Sequence, residues 1–294
     1  MGLTIHFTLR LPAAASQDEA TAAMAALRHR CRVLPMQALT RVVTLDADRI
    51  RHVYADRSRS PWRWAVIQHE RTVHYQHDHR GIPRKLAPGA QAARVIHARV
   101  QPLTLIGFSC KPGDGCEPMN VFVGAYPASI LAECQGDQHG YRSGSRRLML
   151  DAPLRWVGSA FTKTQYASIP ENGGVTNFLR SHLLVIAVLD AARSAGFDVE
   201  VHDEGGYWIN RNVPALVAEI GSWNTFILGV GRQLTAAFGD TVQTAIDPAV
   251  MSRPVSTATA AAMGDDVLDL IRLTHGSCTP MSVPEPTEPA VSLR

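Results

Sequence analysis

The segment Gly173–Val201, GGVTNFLRSHLLVIAVLDAARSAGFDVEV, decides the fold of this chain. Its glycine pair opens a helix expected from about Thr176 to Ala195. Every residue from Leu183 to Leu189 is apolar, so the helix has no polar face to give to water there. It reads as a central helix buried on most sides. Gly196 is a natural stop, because glycine adopts the left-handed conformation that ends helices. Phe197–Val201 then alternates with the period of a strand. Before the helix, Arg155–Ser168 reads as another strand. After the Gly205–Gly206 turn, Asn212 is placed to cap a second helix, with Pro214 in its first turn, running to about Phe238. Strand, helix, strand, helix reads as a crossover unit.

The rest of the chain supplies more strands. Leu3–Leu11 alternates loosely and reads as a strand. Ser16 and Glu19 form a capping box, and Ala20, Met24, Leu27, Cys31 and Leu34 follow at helical spacing. Arg41–Leu45, Trp62–Tyr75, Val95–Ser109 and Val121–Ala125 read as strands. Pro83–Ala93 reads as a loop, Lys111–Asn120 as a glycine turn, and Glu133–Arg147 as polar and mobile. The expected class is α+β: a mixed or mostly antiparallel sheet, a central buried helix, and a C-terminal helix packed on it. One domain is expected over residues 1–278, with room for a subdivision near 150. Pro284, Pro286 and Pro289 mark residues 279–294 as a disordered tail.

Bulk properties narrow the function classes. Of 294 residues 46% are hydrophobic and 19% charged, the balance of a globular protein. A net charge of +3 argues against nucleic acid as the main partner, and the Arg-rich stretch Arg49–Arg63 is interrupted by Asp56. Only Lys85, Lys111 and Lys163 among the 29 basic residues are lysines, which can change protonation where arginine cannot. Five scattered cysteines do not make a disulfide framework. The N-terminus lacks a basic region followed by a long apolar stretch. With the longest apolar run at Leu183–Leu189, a cytoplasmic location without membrane association is expected.

Three runs stand out: GFSCKPGDGCEPMNVFVGAYP (Gly107–Pro127), FTKTQYAS (Phe161–Ser168) with the GGVTNFLRSHL that follows, and DEGGYW (Asp203–Trp208) before EIGSWN. Together with the opening MGLTIHF they resemble a family of uncharacterised bacterial proteins, over most of the chain up to about Phe238. The resemblance implies no activity, substrate or catalytic residue. The chain departs from that pattern at Lys111, where the family has tryptophan, and at Ile209 and Asn212, where it has acidic residues.

The same runs hold the candidate chemistry. Cys116 and Glu117 sit in a loop with Cys110 and Asp114, where a thiolate beside Lys111 would be a nucleophile and a buried Cys116 merely a packed side chain. In a strand over Arg155–Ser168, Lys163 shares a face with Gln165, roughly 7 Å away. Flanked by Phe161 and Tyr166, Lys163 then needs a carboxylate or an anionic ligand as partner. Thr176, Asn177, Arg180 and His182 lie at the start of the central helix, where free N–H groups favour an anion; ordinary capping, with Arg180 in a salt bridge, is the plainer reading. Asp203 and Glu204 point to opposite faces of a strand end, so one of them would face a site as a base or hold a metal ion, or Asp203 would bond the turn backbone. Metal binding by Cys110, Cys116, Cys134 and His139 has no common zinc spacing, and His69, His74, His77 and His79 form a weak second candidate. No metal ligand or cofactor is assigned.

Cys116, Glu117, Lys163, Gln165, Tyr166, Arg180, His182, Asp203 and Glu204 are expected to converge on one cleft. The leading expectation is an enzyme acting on a small anionic substrate by acid–base or nucleophilic chemistry, with Arg180 and the helix N-terminus holding the anion. The alternative is a non-enzymatic ligand-sensing or interaction protein, of a defence or immunity type, in which these groups form a closed network. The enzyme reading needs Lys163 within about 12 Å of Asp203 or Glu204, and within reach of a pocket.

Overall fold

The computed structural model describes residues 3–50, 61–62, 65, 67–77, 83–85, 93–127, 129–134, 144–149 and 156–238. The expected tail, His79, His139 and most of Arg49–Arg63 lie outside the described residues, as do the side chains of His69, His74, His77 and Cys134.

Twelve strands are described: β1 (Thr4–Arg10), β2 (Ala38–Leu39), β3 (Val43–Asp46), β4 (Ile67–His77), β5 (Pro83–Lys85), β6 (Ala93–Val100), β7 (Thr104–Lys111), β8 (Met119–Ala125), β9 (Ser129–Cys134), β10 (Gly144–Met149), β11 (Val157–Lys163) and β12 (Asp198–Asp203). The main sheet has seven strands in the order β12-β1-β11-β8-β7-β2, with β3 also on β7. Every neighbouring pair in it is antiparallel. The class is therefore α+β, with a more uniformly antiparallel sheet than a crossover unit suggests. The crossover is present but split. β11 and β12 both run antiparallel to β1, so they are parallel to each other, and β1 lies between them.

Helix α1 (Gln17–Cys31) starts at the Ser16–Glu19 capping box and buries Ala20, Met24, Leu27 and Cys31, the stripe read from the sequence. Helix α2 (Gly174–Ser194) is the crossover helix, and every residue from Ser181 to Leu189 is buried. Helix α3 (Val213–Phe238) is capped by Asn212, whose Oδ1 accepts from Ala215 N–H at 3.0 Å. Val213, Leu216 and Ile220 pack its first turns into the core, while Phe226, Ile227 and Val230 further along are exposed.

Both α2 and the Val213–Val230 part of α3 are long and apolar enough to cross a membrane. The α2 window is 72% buried, as a core helix is, whereas that of α3 is only 17% buried.

Three local expectations change. The expected strand over Arg155–Ser168 ends at Lys163 and turns into a 3-10 helix, Gln165–Ser168, so Lys163 and Gln165 do not share a strand face. Strand β5 occupies part of the expected loop Pro83–Ala93 and pairs with β4. The expected polar segment Glu133–Arg147 is flanked and partly occupied by the β9–β10 pair.

The sheet has two unlike faces. Ile5, Phe7 and Leu9 of β1 are buried, while His6 between them is exposed. On β8 almost every residue is buried, and Phe122 meets Trp62 edge-on at 6.0 Å. The face opposite the helices is thus covered at β8 and bare across β12, β1 and β11.

Candidate functional site

The central feature of the helix-covered face is a sealed chain of three polar groups. Thr164 follows β11, His182 lies in α2, and Asp203 ends β12. Thr164 Oγ1 is 3.1 Å from His182 Nδ1, and His182 Nε2 is 3.3 Å from the Asp203 carboxylate. Asp203 also accepts from Gly205 N–H at 2.8 Å and Trp208 N–H at 2.9 Å. Nε2 donating to Asp203 and Nδ1 accepting from the threonine hydroxyl satisfy all three groups.

The side chains of His182 and Asp203 are 0% and 1% exposed. Phe178 and Tyr207 pack around the imidazole with centroids 5.5 and 6.5 Å away. A Cβ on Gly205 would lie 2.7 Å from Leu216 Cδ1 and 3.2 Å from His182 Cε1, so the turn closes directly over the ring. Burial alone would raise the Asp203 carboxyl. The His182 ring and the Trp208 and Gly205 N–H groups outweigh it and hold the acid below its ordinary range.

Thr164→Val keeps the shape but leaves Nδ1 unpartnered in the core. It is expected to cost about 1–3 kcal/mol, whereas Thr164→Ser keeps the hydroxyl and should cost less. Paired urea melts of the two variants test this, and equal losses would mean that the hydroxyl contributes nothing.

The glycine loop forms a second cluster, on the entry of α2. Asn177 Nδ2 donates to the Asp114 and Asn172 carbonyls at 2.8 and 2.6 Å. Gly113 lies so close that a Cβ there would be 2.5 Å from Ser181 Oγ. Arg180 Nη2 donates to the Pro35 carbonyl at 2.7 Å. Asn177 and Arg180 therefore fasten loops to the helix through backbone carbonyls. Thr176 is exposed in the same first turn.

Cys116 is buried, and burial raises its thiol against the opposing effects of Ser181 and Lys111. Burial raises Cys110 still further and Cys31 to about 12. A thiol held protonated is a poor nucleophile. Lys111 pairs with Asp114 at 3.4 Å. Glu117 is joined to the end of β11 through its backbone: its N–H donates to the Lys163 carbonyl at 3.0 Å, and its carbonyl accepts from Thr162 Oγ1 at 2.8 Å.

Lys163 and Glu204 belong to the bare face. Thr4 is opposite Lys163 in the β1–β11 register, and its N–H donates to Glu204 Oε2 at 2.8 Å. Lys163 Nζ lies 6.0 Å from the Phe161 ring centroid. His6 Nε2 is 4.0 Å from Glu204 Oε1, with side chains 50% and 36% exposed. A cavity of about 300 Å³ opens beside them on the same face, lined by His6, Thr8, Ser159, Phe161, Glu200 and His202; Lys163 and Glu204 lie outside its lining. Nearby in sequence, Tyr166 is exposed, and Gln165 Oε1 is buried without a hydrogen-bond partner among the described residues.

The residues expected in one cleft thus divide between two faces of the sheet. His182 and Asp203 meet on the helix side. Lys163 and Glu204 are on the other, roughly 10 Å apart across two strand spacings. The structure adds Thr164, His6, Phe161 and His202 to the candidate residues. His6 is the polar break between Ile5 and Phe7 in a strand, and His202 and Phe161 are its cross-strand neighbours. Only the strand register reveals that grouping. Among the described residues, no group of three or more His, Cys, Asp or Glu is placed to hold a metal ion.

No protein-family model, curated protein or solved structure matches the chain.

Proposed function

We propose that this is a ligand-binding protein that takes a small anionic molecule on the bare face of its sheet, around Lys163, His6 and Glu204. Access is the observation that carries this reading. His182 and Asp203, the most acid–base-like pair among the candidates, are sealed at 0% and 1% exposure with hydrogen bonds on both sides. The bare face has a cavity, an accessible imidazole and a lysine. A binding site needs concavity and a few polar groups, and this face has a cavity lined by His6, with Lys163 beyond its rim.

A second reading, an acid–base enzyme at the same place, is favoured by one contact. His6 Nε2 and Glu204 Oε1 stand 4.0 Å apart, an ion-pair separation that must shorten before the carboxylate can orient the imidazole.

A thermal-shift screen of small anionic metabolites against wild type and Lys163→Ala tests the proposal. A ligand at 100 times its Kd stabilises the protein by about 2.7 kcal/mol. We expect at least one such ligand to raise the wild-type melting temperature, to lose most of that effect in Lys163→Ala, and to be recovered unchanged. A ligand that is recovered chemically altered, with the alteration abolished in Glu204→Gln, establishes the enzyme instead. Equal shifts in wild type and Lys163→Ala would put the ligand somewhere other than the bare face.

A further inference from the structure

The geometry points to a planar heteroaromatic group in the ligand, and we propose that the cavity binds a mononucleotide by stacking its base on His6. This rests on the binding reading above and specifies its ligand.

Three rings lie side by side across three adjacent strands. His6 is paired in register with Phe161 on β11 and with His202 on β12. The ring centroids are 5.6 and 6.1 Å apart, and the planes are tilted by 40° and 37°. Side chains on an antiparallel sheet normally meet polar neighbours on a solvated face, and a continuous row of rings there is a ready stacking surface. Exposed aromatic rows on sheets bind bases because every base presents a π-face.

The neighbouring rows give the ligand a direction. On one side Thr8 Oγ1 and Ser159 Oγ, 2.9 Å apart, offer hydroxyls to the polar edge of a ring. On the other, one residue pair along and roughly 7 Å from the ring row, lies Lys163. A base over His6 therefore places an anionic substituent toward the lysine. The cavity of about 300 Å³, formed by the ring row and the Thr8, Ser159 and Glu200 row, is at the small end of ligand sites and suits a base with its sugar, the anionic substituent reaching past its rim to Lys163.

The charges favour a mononucleotide over a strand of nucleic acid. Glu200, Glu204 and Asp198 edge the same face, and Arg10 is occupied by Asp198 and Glu200 at 3.5 and 2.7 Å. A polyphosphate backbone crossing this face would meet those carboxylates.

Titration calorimetry on the full chain provides the test, with AMP, GMP, CMP and UMP as ligands and ribose 5-phosphate, inorganic phosphate and a ten-nucleotide strand as comparators. At least one nucleotide should bind ten or more times tighter than ribose 5-phosphate. His6→Ala, at a half-exposed position, should weaken that nucleotide about tenfold. Lys163→Ala should weaken the nucleotide but not the matching nucleoside.

If ribose 5-phosphate binds as tightly as every nucleotide and both weaken in Lys163→Ala, stacking is wrong while anion binding on this face stands. If only the ten-nucleotide strand binds, the ligand class is wrong. If nothing binds here but the metabolite screen yields a Lys163-dependent ligand without a ring, the inference fails and the binding reading survives. No ligand in either experiment overturns both.

Discussion

Asp203→Ala should be the most damaging of the single substitutions in the sealed chain, at about 3–5 kcal/mol. The carboxylate accepts from the Gly205 and Trp208 N–H groups and faces His182 Nε2, all in a site closed to water. Alanine leaves those donors unsatisfied in the core. The loss corresponds to a fall in melting temperature of about 6–20 °C for a domain of this size. Asp203→Asn retains a carbonyl acceptor and should fall well short of it.

The pH dependence has a definite sign. The folded-state acid is held below its unfolded value of about 3.9. Its contribution is therefore full above that unfolded value, and is lost as the pH falls through the folded one. Comparing wild type with Asp203→Asn from pH 7 down to 2 should show an acid-limb loss that is smaller in the variant. An Asp203→Ala protein as stable as wild type at pH 7 would mean that the chain Thr164–His182–Asp203 does not support the fold, and would make catalysis the better account of it.

Local periodicity carries most of the fold. The apolar run Leu183–Leu189 is wholly buried in α2, the Ser16–Glu19 box starts α1, and Asn212 caps α3, each within a residue or two of where its pattern places it. These signals are complete within one turn or one strand. Strand order is not. Nothing near Leu3–Leu11 says that this strand inserts between β11 and β12, because the contacts that fix it come from residues more than 140 positions away.

The same limit governs the site. His182 and Asp203 are legible in the sequence as individual ionisable groups, but their pairing depends on a helix laid over a sheet. Lys163 and Gln165 share a face only if the strand runs on past Lys163. The 3-10 turn that follows it breaks that alternation and buries Thr164 against His182. His6 and His202 carry no signal of their own, since each is a single histidine in a short strand, and only pairing across β1 makes them neighbours.

The second large effect is expected at a glycine with no chemistry. Gly158, near the start of β11, approaches β8 so closely that an added Cβ would lie 1.9 Å from the Phe122 carbonyl oxygen and 3.0 Å from Phe122 Cδ2. The first obstacle is backbone, so a rotamer change cannot relieve it. Two central strands must separate, and with them the junction of the bare half of the sheet and the covered half. Overpacking a core commonly costs about 1–3 kcal/mol because side chains yield. Here they cannot, and Gly158→Ala should cost more than about 4 kcal/mol, among the rare severe single changes.

Gly221→Ala provides the opposite control. That residue is exposed in α3, and a Cβ added there would meet nothing within 4 Å. Alanine at this position should stabilise by about 0.5–1 kcal/mol through its helix preference. Denaturant melts of the two variants under one set of conditions read both signs. A Gly158→Ala protein within about 1 kcal/mol of wild type would show that β8 and β11 separate easily, and the bare face would then lose the rigid support on which its ring row depends.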